Sequence, residues 1–155
     1  MTVAAGDIVF LDTNVLLIAT DESRPSHGEA GNLLESAQQH GFHPGISGQI
    51  IREYLVVATR PVDANGLGLD ISEALENIAM IRKRVVFFEE SEQVANILVE
   101  LAGDHSLSGK RIRDANVVAT MMAHSITRLV TENPGDFAGF DGIETLHISE
   151  TFSGN

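Results

Sequence analysis

The 155 residues contain no cysteine, which excludes disulfides, thiolate nucleophiles and thiolate metal sites. Any metal would have to be held by carboxylates and six scattered histidines, a donor set that favours a hard ion. Also missing is any apolar run approaching the ~18 residues of a membrane span. The opening, Met1 to Asp7, lacks the positive start and long apolar stretch of a secretion signal. A cytosolic protein with no membrane partner is expected. Cations are scarce: ten Lys and Arg against 22 Asp and Glu give a formal charge of −12. This is weak evidence against a nucleic-acid partner, because net charge does not locate the charges. Carboxylates that gather divalent cations also change sign locally once loaded. The few cations are unevenly placed, with Arg82, Lys83 and Arg84 in one group and Lys110, Arg111 and Arg113 in another.

What is present suits one ordinary domain: 43% of the residues are hydrophobic, and the length supports a single substantial core. The domain is expected over 1–148, with a loose tail over 149–155. From Ile8 a short apolar run leads into Asp12, Thr13 and Asn14 before apolar residues resume, as a buried strand ending in a polar cluster would. Read alone, Asp12 or Thr13 is best explained as a helix N-cap. Ligands in open parallel sheets, however, bind outside the carboxyl ends of the strands.

Helices are expected over Asn14–Thr20, Ser26–His40, Gly48–Arg60, Ile71–Arg84, Ser91–Ala102 and Asp114–His124, from apolar residues at helical spacing. Strands are expected over Phe42–Ile46, Val85–Phe88, Arg128–Val130 and Glu144–Ile148. The loops are 61–70 and 103–112. Strands and helices alternate without repeats, so the fold class is α/β, with a mainly parallel sheet of about five strands covered by helices on both faces.

Three polar features stand out: Asp12 after the first strand, Asp114 in the first turn of a helix yet on its apolar side, and Asn133 with Asp136 after a later strand. Glu53, at the border of its helix's apolar face, is a fourth. If the strands ending at Asp12 and Val130 are neighbours, their carboxyl-end loops share one edge. Acids gathered there repel one another until a cation relieves them. Oxygen-only ligation points to Mg2+ or Mn2+, and the matching chemistry is phosphodiester hydrolysis by metal-activated water. Lys110, Arg111 and Arg113 would then hold flanking phosphates, or would simply form a solvated basic turn.

The chain resembles the PIN domain family, and within it the VapC-type toxins of toxin–antitoxin pairs. The resemblance rests on Phe-Leu-Asp-Thr-Asn at 10–14, Ile-Ser-Gly-Gln-Ile-Ile-Arg-Glu at 46–53, Ile-Arg-Asp-Ala-Asn-Val-Val-Ala-Thr at 112–120 and Leu-Val-Thr-Glu-Asn-Pro-Gly-Asp-Phe at 129–137. It implies a three-layer α/β/α fold and an acidic site of Asp12, Glu53, Asp114 and Asp136. Thr13, Asn14, Ser47 and Thr131 would line that site, and Asn133 stands where some members carry Asp. It also implies Mg2+- or Mn2+-dependent endoribonuclease activity, a homodimer, and an antitoxin protein that blocks the acidic pocket. Two alternatives remain. One is a PIN domain that only binds RNA or protein. The other is a haloacid-dehalogenase-type phosphatase, which wants an Asp two residues after Asp12, where Asn14 stands, and a late lysine, for which Lys110 is the one candidate.

Overall fold

The structure is a computed structural model that describes residues 7–151. Most of the expected leader-free opening, and positions 152–155 of the expected tail, lie outside the described residues. Five strands, β1 (Ile8–Leu11), β2 (His43–Ser47), β3 (Val86–Phe88), β4 (Arg128–Thr131) and β5 (Glu144–His147), form one sheet in the order β3-β2-β1-β4-β5. Every pairing is parallel. The sheet is thus wholly rather than mainly parallel. The helices are α1 (Thr13–Ala19), α2 (His27–Ser36), α3 (Gly48–Thr59), α4 (Ile71–Arg82), α5 (Glu92–Asp104) and α6 (Lys110–Ala123).

The chain builds outward from β1 to β2 and β3, then crosses back to lay β4 on the other side of β1. Right-handed crossovers therefore put α1 to α4 on one face and α5 with α6 on the other. The packing groups the helices in the same way, α1 against α2 and α3, α3 against α4, and α5 against α6. Because α1 lies between the sheet and two other helices, Val15, Leu16, Leu17 and Ile18 are all buried. No described helix is long and apolar enough to cross a membrane.

The reversal of direction at β1 opens a crevice between the ends of β1 and β4, the usual ligand position in such sheets. Strand β2 is interior although it carries Pro44, and Gly45 beside it is required by crowding. A Cβ at Gly45 would lie 2.6 Å from a ring carbon of Phe88.

Several boundaries differ from expectation. Helix α2 stops at Ser36 and yields to a 3-10 turn over Gln38–His40, and Ile148–Glu150 form another such turn. The expected loop 103–112 is shorter, since α5 continues to Asp104 and α6 starts at Lys110. Lys110, Arg111 and Arg113 are good helix formers, and Gly109 supplies the break before them with φ 58. Asp114 therefore sits in the second turn of α6, where attraction to the helix dipole cannot explain it. The loop at 61–70 is not free-standing. Its N–H groups at Leu67, Gly68 and Leu69 return to the carbonyls of Val57, Arg60 and Ala58, satisfying the C-terminal end of α3.

Candidate functional site

Asp12 follows β1, and its own N–H donates to the carbonyl of Val130 in the neighbouring β4 at 3.0 Å. This fixes the first acid at the crevice. Its side chain is the N-cap of α1, with Oδ1 accepting the Thr13 N–H at 2.8 Å. Capping therefore stays with Asp12 rather than passing to Thr13 or Asn14. The other oxygen, Oδ2, accepts the Thr131 hydroxyl at 2.8 Å and is approached by the Asn14 amide at 3.5 Å. The Thr131 hydroxyl in turn accepts from Asn14 at 3.3 Å and from the Asn133 N–H at 3.1 Å.

Glu53 enters from α3 and Asp114 from α6. Asp12 and Asp114 are buried, with 4% and 2% exposure. The three acids converge on Arg113. Its Nη2 donates to Asp12 Oδ1 at 2.7 Å, to Glu53 Oε2 at 2.5 Å and to the Thr13 hydroxyl at 3.0 Å. Its Nη1 donates to Asp114 Oδ1 at 2.9 Å, and its Nε lies 2.9 and 2.8 Å from the two Glu53 oxygens. Arg113 is thus an internal counter-ion rather than part of a solvated basic turn or a free phosphate contact. Thr13 also donates to Glu53 Oε2 at 2.7 Å.

Burial alone would raise the Glu53 carboxyl, but the hydrogen bonds of Arg113 and Thr13 and the Arg113 charge hold it below its usual range. For Arg113, burial works against the charge and the bonds to Glu53 and Asp12 win, so the guanidinium is held more firmly protonated than usual. Asp114 goes the other way. Burial pushes its carboxyl up, Arg113 opposes this, and the charges of Asp12 and Asp136 add to the rise.

Asp12 and Glu53 open into a cleft of about 760 Å3, and Asp114 is buried behind Arg113, which lines it. Asn14, Asn133, Asp136 and Lys110 also line it, with Asp136 3.7 Å from Lys110 and half-exposed. Two residues expected at the site are elsewhere. Arg111 is turned about 100° from Lys110 on the helix and packs over the Phe140 ring. Ser47 is 1% exposed, does not line the cleft, and its hydroxyl has no hydrogen-bond partner.

Other residues at the cleft were not foreseen. The Gln49 side-chain amide donates to Glu53 Oε1 at 3.1 Å and to the Arg113 carbonyl at 3.0 Å, while its oxygen accepts from Asn116 at 2.7 Å. Glu90 closes this network, accepting the Gln49 N–H at 2.7 Å and the Asn116 amide at 3.2 Å. A usable signal was that Gln49 precedes Glu53 by one helical turn. Arg52 and Arg60 line the cleft as well.

All donors here are oxygens, which suits a hard divalent ion. As they stand, no three acids among the described residues are close enough to share one; the guanidinium lies between them.

The chain matches the PIN domain model over residues 9–142. No curated protein matches it by sequence. Among solved structures it is similar to a toxin–antitoxin complex from Klebsiella pneumoniae, at 25% identity and TM-score 0.60, covering 88% of this chain and 96% of that one. It is also similar to VapBC2 from Rickettsia felis bound to a promoter DNA fragment, at 17% identity and TM-score 0.70, covering 90% and 98%. A third likeness is to VapC20 from Mycobacterium tuberculosis, a toxin that cleaves the sarcin–ricin loop, at 17% identity and TM-score 0.64, covering 87% and 98%.

Proposed function

The chain belongs to the PIN domain family, and from that premise we propose that it is a metal-dependent endoribonuclease and the toxin of a toxin–antitoxin pair. The observation that carries this reading is the meeting of Asp12, Glu53 and Asp114, from three separate elements, on one guanidinium at the sheet's reversal point, with Asp12, Glu53 and Arg113 lining one cleft and Asp114 buried behind them. Acids so placed serve no packing purpose, and desolvated carboxylates in a cleft mark functional sites. Membership of the PIN family argues against the phosphatase alternative.

Asp12, Glu53 and Asp114, with Asp136 at the mouth, would hold Mg2+ or Mn2+, which when bound supplies an activated water and charge stabilisation at the phosphodiester. The chain's own residues prepare this site. Thr131 and Asn14 fix one edge of Asp12, and Gln49 with Thr13 fixes Glu53. Lys110 and Asn133 line the same cleft and would contact a substrate phosphate and sugar. A cognate antitoxin and a homodimer are part of the proposal. The antitoxin is supported by the likeness to toxin–antitoxin assemblies along nearly their whole toxin chains.

Purified protein freed of any co-purifying partner is expected to cut single-stranded RNA with Mn2+ or Mg2+ and to stop when chelator is added. Asp12→Asn and Asp114→Asn should each abolish cleavage. Unchanged cleavage in either variant would show that the site is elsewhere. A second reading, a binding module without catalysis, is favoured by the Arg113 pairing, because the acids are already neutralised and no longer need a metal. Absence of cutting with both metals would select it.

A further inference from the structure

Four of the chain's ten cations, Arg52, Arg60, Lys110 and Arg113, line the acidic cleft. In a molecule of charge −12, they offset the acids lining the cleft and so lower the repulsion an anionic polymer meets there. Arg113 is committed to the carboxylates, and Lys110 faces Asp136 at 3.7 Å. Arg52 and Arg60 stand together along α3. They lie eight residues apart, Arg52 in the second turn of α3 and Arg60 just past its C-terminal end, with Val56 midway, so the three occupy one strip about 12 Å long on the helix surface. The Arg52 side chain is 68% exposed and, like Lys110, holds one loose ion pair, to Glu90 at 3.9 Å. Val56 is 57% exposed, an apolar residue left in water between two cations. The backbone that carries Arg60 is fixed. Its carbonyl accepts the Gly68 N–H at 2.9 Å, and Gly66 packs so closely that a Cβ there would lie 2.0 Å from the same oxygen.

We propose that Arg52, Val56 and Arg60 form a substrate track along α3. On it a single-stranded RNA leaves the acids, with its phosphates on the two guanidiniums and a sugar or base against Val56. The track rests on the ribonuclease reading above and names which face of the cleft holds the strand. Charge complementarity selects the occupant. Arginine pairs geometrically with phosphate, and the apolar residue between the pair suits a backbone whose charges are spaced by uncharged sugars and bases.

The test is fluorescence anisotropy of a labelled single-stranded RNA in chelator, over a range of NaCl concentrations. Each phosphate contact adds about 0.7 to the slope of log affinity against log salt for a single strand. R52Q and R60Q should therefore each lower the slope by about 0.7, and the double variant by about 1.4. K83Q/R84Q is the control, because Lys83 and Arg84 line a different cavity with His43 and Pro44 at the starts of the strands. It should leave the slope unchanged. With Mn2+ present, R52Q/R60Q should raise KM several-fold and keep kcat, as expected for contacts made equally in the ground and transition states.

An unchanged slope in the double variant overturns the track. If the wild-type protein still cuts RNA in that case, the ribonuclease reading stands and only the track fails. If the wild-type protein neither binds nor cuts RNA, both fail. Loss of polyglutamate binding in the double variant, with RNA binding intact, would give this face to an acidic protein segment and also overturn the proposal.

Discussion

Replacing Arg113 with Gln removes the one cation shared by Asp12, Glu53 and Asp114. Breaking a buried ion pair by deleting one partner costs about 3–5 kcal/mol, because the other charge is left stranded. Here the arginine side chain keeps 27% exposure and Glu53 26%, so water screens part of the loss. We expect a destabilisation of about 2–3 kcal/mol at pH 7 in chelator, read by urea unfolding, with a fall in Tm of roughly 5–10 °C. The sign of the pH dependence follows from Glu53. Its folded pKa is depressed, so its contribution is present above the unfolded value of about 4.3 and is lost as pH falls through the lower folded value. R113Q abolishes that depression. The deficit of the variant should therefore be complete above about pH 4.3 and shrink on acidification below it. Manganese should act in the opposite sense. In the wild type an ion must compete with the guanidinium for the same oxygens, whereas in R113Q it meets three unpaired carboxylates. At 100 times its Kd it would restore about 2.7 kcal/mol to the variant, while the same concentration stabilises the wild type much less. Equal stability of the two proteins at pH 7 in chelator would refute the counter-ion argument. Equal stabilisation of both by Mn2+ would refute the competition.

Two further predictions follow from the same cluster. Asp114 and Glu53 are shifted in opposite directions, so in chelator at pH 7 Asp114→Asn should stabilise the fold and Glu53→Gln should destabilise it. Asp114, with its raised folded pKa, favours stability below the unfolded value of about 3.9 and loses that advantage as pH rises; urea midpoints that move the same way in both variants would contradict this. Gln49→Leu removes the amide that anchors Glu53 and the Arg113 carbonyl, and should lower Mn2+ affinity or kcat by about 10-fold with the fold retained. Calorimetric titration of Mn2+ and initial rates check it, and wild-type values in both would assign Gln49 to packing alone.

The fold was largely legible because its signals are short-range. Apolar runs of strand length separated by helical periodicity specify a parallel α/β sheet, and β1 and β4 are neighbours, the condition on which the polar clusters at their ends share one edge. Boundaries were harder to read where composition and local geometry disagree. The basic run from Lys110 looks like loop because it follows Gly and Ser, yet those residues favour helix and Gly109 alone makes the break. That difference of four residues moved Asp114 from the first turn to the second and removed the dipole as its explanation.

The site was legible in its acids and not in what holds them. Asp12 fits a cap when its own stretch stands alone and an acidic cluster when the other acids are added, and its geometry serves both, because one carboxylate oxygen accepts the Thr13 N–H while also meeting Arg113. Sequence proximity groups Arg113 with Lys110 and Arg111. On a helix, successive residues diverge by about 100°, so a run of cations cannot share one task. Lys110 reaches the cleft mouth, Arg111 turns to Phe140, and Arg113 has a side chain long enough to reach Asp12, Glu53 and Asp114 together. Spacing along the chain predicts which face a Cα lies on. It does not predict where a flexible arginine ends, and in this cleft the end of that side chain decides whether three carboxylates are paired or free to bind an ion.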